Sequence, residues 1–295
     1  MSDSPDRTLF LHAPRGAFGP SARIGGMPLV ERLVREGAKA GAARAVCACD
    51  PVPIAALAVP VEWVAADTSL PPGADVRPAD EIRGVRVTDE PSRRAAEWQV
   101  VLGLNKSFQG PVDATINWRM SYRITRLLSG TPVHPNQVTL VALAVGLAAI
   151  GLAAAGGAVA LVAAGLLMEF QSVLDSVDGE MARLQYKGSV LGQWLDNVCD
   201  DVIDDLFPAA AGIGTGQWEW AVIGVAGTLL RGAQQLYTYV TVYRATGTGN
   251  LYTFRWWFEA DKATSDDVYD PRSAITWVRS LGRRDTYVFV WMAFC

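Results

Sequence analysis

Asp175, Asp178, Asp196, Asp200 and Asp204 stand three or four residues apart within two clusters of the segment DSVDGEMARLQYKGSVLGQWLDNVCDDVIDD, residues 175–205. Residues at those spacings share a helical face. Asp175 and Asp178 therefore form one acidic face, and Asp196, Asp200 and Asp204 form a second. The segment holds eight carboxylates against two cations, Arg183 and Lys187. It follows a long apolar run with no Asp, Glu, Lys or Arg between Gln137 and Met168. An aspartate in hydrocarbon costs about 2.5–3.5 kcal/mol on insertion scales, so acids beside such a run call for a positive partner. Grouped carboxylate oxygens are hard ligands, suited to Mg²⁺, Mn²⁺ or Ca²⁺ rather than zinc. The structural alternative is a helix pair whose acids are solvated or paired with arginines.

The elements that must position these groups follow from the same stretch. Between the two acidic sets lies LQYKG, a polar break with a glycine. It predicts two antiparallel helices joined near Tyr186–Gly188, with their carboxylate faces opposed at one membrane surface. Gly179 and Gly192 flank the acids. Lacking Cβ atoms, they let a flat base or a phosphate approach the backbone.

Asp175, Asp178, Gly179, Ala182, Arg183, Gly192, Asp196 and Asp200 reproduce the pattern D-x2-D-G-x2-A-R-x8-G-x3-D-x3-D at every position. In this the sequence resembles the CDP-alcohol phosphotransferases (CDP-alcohol phosphatidyltransferases), integral membrane enzymes with six spans. The pattern is confined to residues 175–200, and the resemblance extends in character over residues 106–295. It implies Mg²⁺ or Mn²⁺ held by Asp175, Asp178 and Asp196. Asp200 would be the general base, and a ligand where the site holds two metals. Gly179, Ala182 and Gly192 would let cytidine and phosphates pack against the helices. Arg183 would contact phosphate or brace the acids. Asn136 could reach the nucleotide, although a role as helix N-cap explains it equally well. The implied reaction is attack of an acceptor hydroxyl on the β-phosphorus of a CDP-alcohol, forming a phosphodiester and releasing CMP.

The stretch LDSVDGEMARLQYKGSVLGQWLD is most similar to the branch joining inositol phosphates to CDP-activated alcohols. That branch includes archaeal di-inositol-phosphate phosphate synthases with fused cytidylyltransferase domains. The donor is then either CDP-diacylglycerol, giving a phospholipid, or a soluble CDP-polyol. The alternative is a non-catalytic membrane scaffold or ion-binding protein that retains the acidic motif. The family makes a homodimer an expectation that nothing in the sequence tests.

The 295 residues allow about two domains. A net charge of −4 gives no case for nucleic-acid binding. Cys47, Cys49, Cys199 and Cys295 show neither metal spacing nor a disulfide framework, and Cys47 and Cys49 read as buried small hydrophobes on a strand. The charged start MSDSPDRTLF is not a secretory signal. Residues 1–105 read as a small α/β domain: strand TLFLHA, helix PLVERLVREGAKAG ending at Gly41, strand ARAVCAC and a third strand VEWVAA. Strand, helix, strand in this rhythm predicts a parallel βαβ unit. GGMPLVERLVREGAKAGAARAVCAC resembles the early part of a sugar-phosphate nucleotidyltransferase. The Gly-rich nucleotide loop of that family is not recognisable and the segment is about half as long, which implies a reduced, inactive domain. Residues 68–110 read as loop followed by a short helix.

Residues 106–295 read as an α-helical integral membrane bundle. VDATINWRMSYRITRLLSG is an amphipathic basic helix on the membrane surface, with Ile116, Met120, Ile124, Leu127 and Leu128 on its apolar side and Arg119, Arg123 and Arg126 interleaved. Four complete spans are predicted: one from Pro135 to a Gly156–Gly157 turn, one ending near Arg183, one from Gly188 to about Ile213, and one from Trp218 to Arg244. Arg231 lies within the fourth, paired with Asp204 or Asp205 or binding an acceptor's phosphate. FRWWF reads as an interfacial anchor, and DTYVFVWMAFC as the start of a fifth span. Against the six spans of the family, the chain is expected to be truncated at its C-terminus by one to two helices. Lys and Arg gather on one side of this threading and are absent from the turns Gly156–Ala158 and Gly214–Gln217. The positive-inside rule then puts the N-terminal domain and the acidic site in the cytoplasm.

Overall fold

The computed structural model describes residues 7–70, 72–104, 111–247 and 272. The chain forms two compact units, one of Met1–Leu104 with Ser129–Thr131, the other of Asn105–Leu128 with Pro132–Cys295.

In the first unit, the apolar run TLFLH forms β1 (Thr8–His12). A short hairpin, β2 (Arg23–Ile24) and β3 (Met27–Pro28), turns through Gly25 and Gly26 at φ 59° and 83°, a region glycine enters freely. There follow α1 (Leu29–Lys39), β4 (Arg44–Ala48), β5 (Val61–Val64), β6 (Asp75–Pro78), the hairpin β7 (Glu81–Ile82) and β8 (Val85–Arg86), and α2 (Glu90–Leu102). The four-stranded sheet has the order β5-β4-β1-β6 with every pairing parallel. Strand alternation puts Phe10, Val46 and Ala48 into one core layer. Leu9 meets α1 at Gly37, where an added Cβ would stand 2.5 Å from Leu9 Cδ2. The expected β1–α1–β4 unit and third strand are present, and α1 ends before Gly41 at φ 95°.

Residues 68–110 depart from the expected loop and short helix. They form β6 and a hairpin first, and a 13-residue helix only from Glu90. β6 is the polar stretch DVRP at the edge of the sheet. An edge strand accepts a proline and one wet side, so neither alternation nor apolar content marks it in the sequence.

The second unit consists of α3 (Trp118–Leu128), α4 (Pro135–Ala155), α5 (Ala158–Leu184), α6 (Val190–Gly214) and α7 (Trp218–Thr246). These last four stand where the four spans were expected. The sharp turn between α4 and α5 uses Gly156 and Gly157 at φ 73° and 84°. Among the described residues, α4 and α5, of 21 and 27 residues, are long and apolar enough to cross a membrane. α6 carries five aspartates, and α7 carries Glu219, Arg231 and Arg244. The FRWWF anchor and the fifth-span start lie outside the described residues, as do Arg255, Lys262, Arg279, Arg283 and Arg284, which belong to the Lys and Arg expected on the cytoplasmic side.

α4 packs along both α5 and α6, α7 packs on α6, and α3 packs on α5. Small residues allow the close approach. A Cβ at Gly146 of α4 would stand 2.5 Å from Ile203 Cδ1 of α6, and one at Gly214 would stand 1.8 Å from the Ala153 carbonyl oxygen. Around these contacts Ala149, Ala153, Ala164, Met168, Ile203 and Phe207 form a continuous core. α6 contains Pro208, which removes one helical donor. α7 packs closely beside it: Gly224 lies against the Pro208 carbonyl, and Thr228 Oγ1 donates to the Asp205 carbonyl.

α3 buries a different face from the expected apolar stripe. Met120 and Leu127 are exposed, while Ser121 and Thr125 are buried. Their hydroxyls donate to Glu180 of α5, at 2.7 Å to Oε1 and 2.5 Å to Oε2. A buried carboxylate demands such donors, and that demand sets the rotation of α3. Ile124 and Leu128 still reach the core beside Val138, Val177 and Met181.

In the first unit Cys47 and Cys49 are buried, as expected. Burial, and secondarily Cys49, pushes the Cys47 thiol up to about 12; burial, and secondarily Asp50, pushes Cys49 up to about 11. Unfolded thiols ionise near pH 8.5. The protons are thus held more tightly in the folded state, and stability falls as pH rises from about 8.5 through the folded values. Iodoacetamide at pH 8, read by peptide mass mapping, is expected to leave both thiols unmodified in the native protein and to alkylate both in urea. Alkylation at equal rates in the two states would contradict the burial.

Candidate functional site

Three helix ends build the site. At the start of α4, His134 is the N-cap: its Nδ1 accepts from the Asn136 amide at 3.3 Å, and its own amide donates to Gln137 Oε1 at 2.8 Å. Asn136 is therefore not the cap, which corrects that reading. The helix begins at Pro135 and capping falls one residue before it, because proline suits the first helical position. The Asn136 side chain turns elsewhere, its Oδ1 3.0 Å from where a Cβ on Gly192 would sit.

The C-terminal end of α5 closes with the Lys187 amide donating to the Ala182 carbonyl at 3.0 Å. The left-handed position is Tyr186 at φ 54°, rather than the nearby Gly188. α6 then starts at Ser189, whose Oγ accepts from the Gly192 amide at 2.9 Å. α5 and α6 are antiparallel, as expected, but they touch only sparsely. α4 packs along both and leaves their acidic ends facing a common space.

That space is a cleft of about 580 Å³. Asn136, Asp175, Asp178, Gly179, Ala182, Arg183, Gly192, Asp196 and Asp200 all line it, together with Thr139 and Lys187. One oxygen each from Asp175, Asp178 and Asp196 lies within 4.8 Å of the other two. Asp178 is the most buried of the three, at 5% exposure. Thr139 Oγ1 of α4 donates to its Oδ2 at 2.5 Å. Asp200 Oδ1 accepts from Gln171 Nε2 of α5 at 3.2 Å. Arg183 lies along its own helix, with Nη1 3.0 Å from the position of a Cβ at Gly179. The glycine thus leaves room for the guanidinium beside the acids.

The donor set fits a hard divalent ion. Oxygen ligands lie about 2.0–2.6 Å from Mg²⁺ or Ca²⁺, so two ligands on opposite sides of one ion stand about 4–5 Å apart. The three carboxylates already satisfy that limit, and Arg183 and Lys187 bring positive charge to the rim for an anionic ligand.

Asp204 does not join Asp196 and Asp200 at the cleft. Eight residues turn a helix through about 800°, some 80° beyond two full turns, and this drift carries Asp204 towards α7. There Arg231 Nη2 donates to Asp204 Oδ2 at 2.6 Å, and Arg231 Nε lies 3.0 Å from Asp205 Oδ1. Of the two readings of Arg231, the structure forms the ion pair. Asp201 faces α7 as well, accepting from Gln235 and Tyr239, and the Tyr239 ring stacks on Trp194 with centroids 5.4 Å apart.

Thr139, Gln171 and the Ser121–Thr125–Glu180 set went unrecognised in the sequence. Each partner lies 29 to 59 residues away on another helix, so no local spacing could reveal it.

Comparison with known proteins adds to this geometry. Residues 132–263 match the profile of the CDP-alcohol phosphatidyltransferase family. Three similar relatives each carry the name "Bifunctional IPC transferase and DIPP synthase". The protein of Thermococcus kodakarensis is 34% identical over 41% of this chain and 27% of its own length. That of Archaeoglobus fulgidus is 37% identical over 41% of this chain and 24% of its own length. That of Aquifex aeolicus is 30% identical over 42% and 28%. The chain thus spans only about a quarter of the curated relatives it matches here.

Thr139→Val keeps the shape of the side chain and removes its donor. Losing a hydrogen bond that orients a metal ligand typically weakens metal binding about 10–100-fold. Mn²⁺ titration followed by EPR is expected to show a loss of that order, with helix content by circular dichroism unchanged. Unaltered affinity would separate Thr139 from the acidic cluster.

Proposed function

The chain carries a CDP-alcohol phosphatidyltransferase domain over residues 132–263, and on that premise we propose that it transfers a phospho-alcohol group from a CDP-alcohol to an acceptor hydroxyl, releasing CMP. The single observation that carries this reading is the shared cleft: all nine residues singled out by the motif and its surroundings line it.

Asp175, Asp178 and Asp196 would hold Mg²⁺ or Mn²⁺, with Asp200 positioned to join them if a second ion binds. When bound, the ion neutralises the donor's diphosphate and polarises the phosphorus under attack. Asp200 takes the proton from the acceptor hydroxyl. The acceptor oxygen bonds to the β-phosphorus, the bond from that phosphorus to the bridging oxygen breaks, and CMP leaves with the electron pair. Arg183 and Lys187, at the rim, receive phosphate charge. Gly179, Ala182 and Gly192 leave the helix surfaces low enough for cytidine and phosphates to lie on them. Asn136, opposite Gly192 and not engaged in capping, offers an amide to the nucleotide.

The names of the relatives, IPC transferase and DIPP synthase, fit the inositol-phosphate branch, in which the donor is CDP-diacylglycerol or a soluble CDP-polyol. α4 to α7 act as four membrane spans in this reading, and the acidic end of the bundle with the N-terminal unit lies in the cytoplasm, where CDP-activated substrates occur. Support for that orientation is the lack of Lys and Arg in the turns at the opposite end. The N-terminal unit is a reduced nucleotidyltransferase-like domain without its own catalytic role. A membrane scaffold that keeps the acidic motif is the competing reading.

The test is CMP release by the full chain in membranes with Mg²⁺ or Mn²⁺, comparing CDP-inositol and CDP-diacylglycerol with polyol and polyol-phosphate acceptors. Release that depends on donor and acceptor, and falls at least about 100-fold in Asp200→Asn, is the expected outcome. A folded, metal-binding protein that releases no CMP with any pair would favour the scaffold.

A further inference from the structure

Ser129–Thr131 lie between α3 and α4 in sequence, yet they pack as part of the first unit. Glu97 of α2, 8% exposed, reaches them there. Its Oε1 accepts from the Gly25 amide at 3.0 Å and from the Ser129 hydroxyl at 3.3 Å, and its Oε2 accepts from Arg93 Nη1 at 3.3 Å. Arg93 also donates to the Arg23 carbonyl at 2.9 Å. α2, the β2–β3 hairpin and the Ser129 segment therefore converge on one buried carboxylate, which needs donors of this kind. The fit is close as well. Ser129 is buried, and its carbonyl oxygen would stand 2.7 Å from a Cβ at Gly26.

Only residues 130–134 separate Ser129 from Pro135, the first residue of α4. Pro132 fixes its own φ and biases Thr131 towards extended backbone, so the connection is short and stiff. Its far end is held too: the Val133 carbonyl accepts from Gln185 Nε2 at 3.4 Å, and His134 caps α4. The first turns of α4 then bring Asn136 and Thr139 to the cleft. We infer that Glu97 is a positioning residue, through which the N-terminal unit braces the α3–α4 connection and so fixes the α4 wall of the cleft. This gives the N-terminal unit a mechanical function that goes beyond the transferase reading and does not depend on the identity of donor or acceptor.

Glu97→Leu keeps the bulk of the side chain and removes both acceptor oxygens. Glu97→Gln keeps one acceptor oxygen for Gly25 and Ser129. Arg94→Ala, at an ion pair with Glu90 on the same helix, is the control. Three quantities are to be read in the full chain in detergent: amide hydrogen exchange over residues 129–142, Mn²⁺ affinity by EPR, and protection of Cys47 and Cys49 from iodoacetamide. The brace predicts exchange at least about tenfold faster and Mn²⁺ binding at least about threefold weaker in Glu97→Leu, with both thiols still protected. Glu97→Gln and Arg94→Ala are expected to stay within about twofold of wild type in exchange and affinity. Unchanged exchange in Glu97→Leu with protected thiols overturns the inference. So does faster exchange with unchanged Mn²⁺ affinity, because the first unit would then hold the connection without reaching the cleft. If Glu97→Leu exposes the thiols, Gly26→Ala is read against the same expectations, since it pushes on the Ser129 carbonyl and leaves Glu97 in place. A wild type that binds no Mn²⁺ fails the metal reading instead, and exchange over residues 135–142 alone then decides the brace.

Discussion

Like charges brought together in a low-dielectric setting set the terms for the rest of the second unit. Two unit charges 4.8 Å apart repel by about 3 kcal/mol at an effective dielectric near 20, and here three carboxylates share that distance. Two helices alone would relax by splaying. α4 packs along both α5 and α6, with Gly146 of α4 making room for Ile203 and Gly214 of α6 letting the backbones meet at Ala153. It also contributes Thr139 to Asp178, so the helix that holds α5 and α6 together also holds one of the acids. The arrangement keeps a repulsive cluster assembled at spacings that fit a divalent ion.

The remaining acids of the motif region follow a different rule. Glu180 turns from the cleft to α3 and takes two hydroxyl donors; Asp201, Asp204 and Asp205 turn to α7 and take Gln235, Tyr239 and Arg231. Polar groups directed at a neighbouring helix in an apolar bundle act as interhelical ties. One acidic stretch thus does two jobs, and helix rotation separates them: one set of carboxylates faces the cleft, and the other secures the flanking helices.

Much of this was legible in the sequence for reasons that can be named. The limits of α4 to α7 followed from long apolar runs broken by glycine pairs or polar turns, features that act over a few residues. The βαβ unit followed from period and glycine placement. Within the acidic segment, fixed gaps predicted which residues share a helix face, and that prediction failed at Asp204, where the helical drift exceeds what a four-residue step suggests. The edge strand β6 was hidden because a polar edge has no pattern to read. The two readings of Asn136, nucleotide contact or cap, could not be separated in the sequence; His134 takes the cap, and Asn136 lines the cleft. Thr139, Gln171, Ser121 and Thr125 were illegible, since a single polar residue in an apolar helix acquires meaning only from the helix packed against it.

Pro208 has a mechanical consequence. An interior proline leaves α6 one donor short and crowds the preceding turn, so the ladder is weaker there than elsewhere along the helix. Asp196 and Asp200 lie on the N-terminal side of that point, and the residues packed against it, Gly224 and Thr228, belong to α7. α5, which carries Asp175 and Asp178, has no proline. The weaker ladder therefore lies in one wall of the cleft and not the other, so any change in the width between the two acidic faces costs less on the α6 side than on the α5 side.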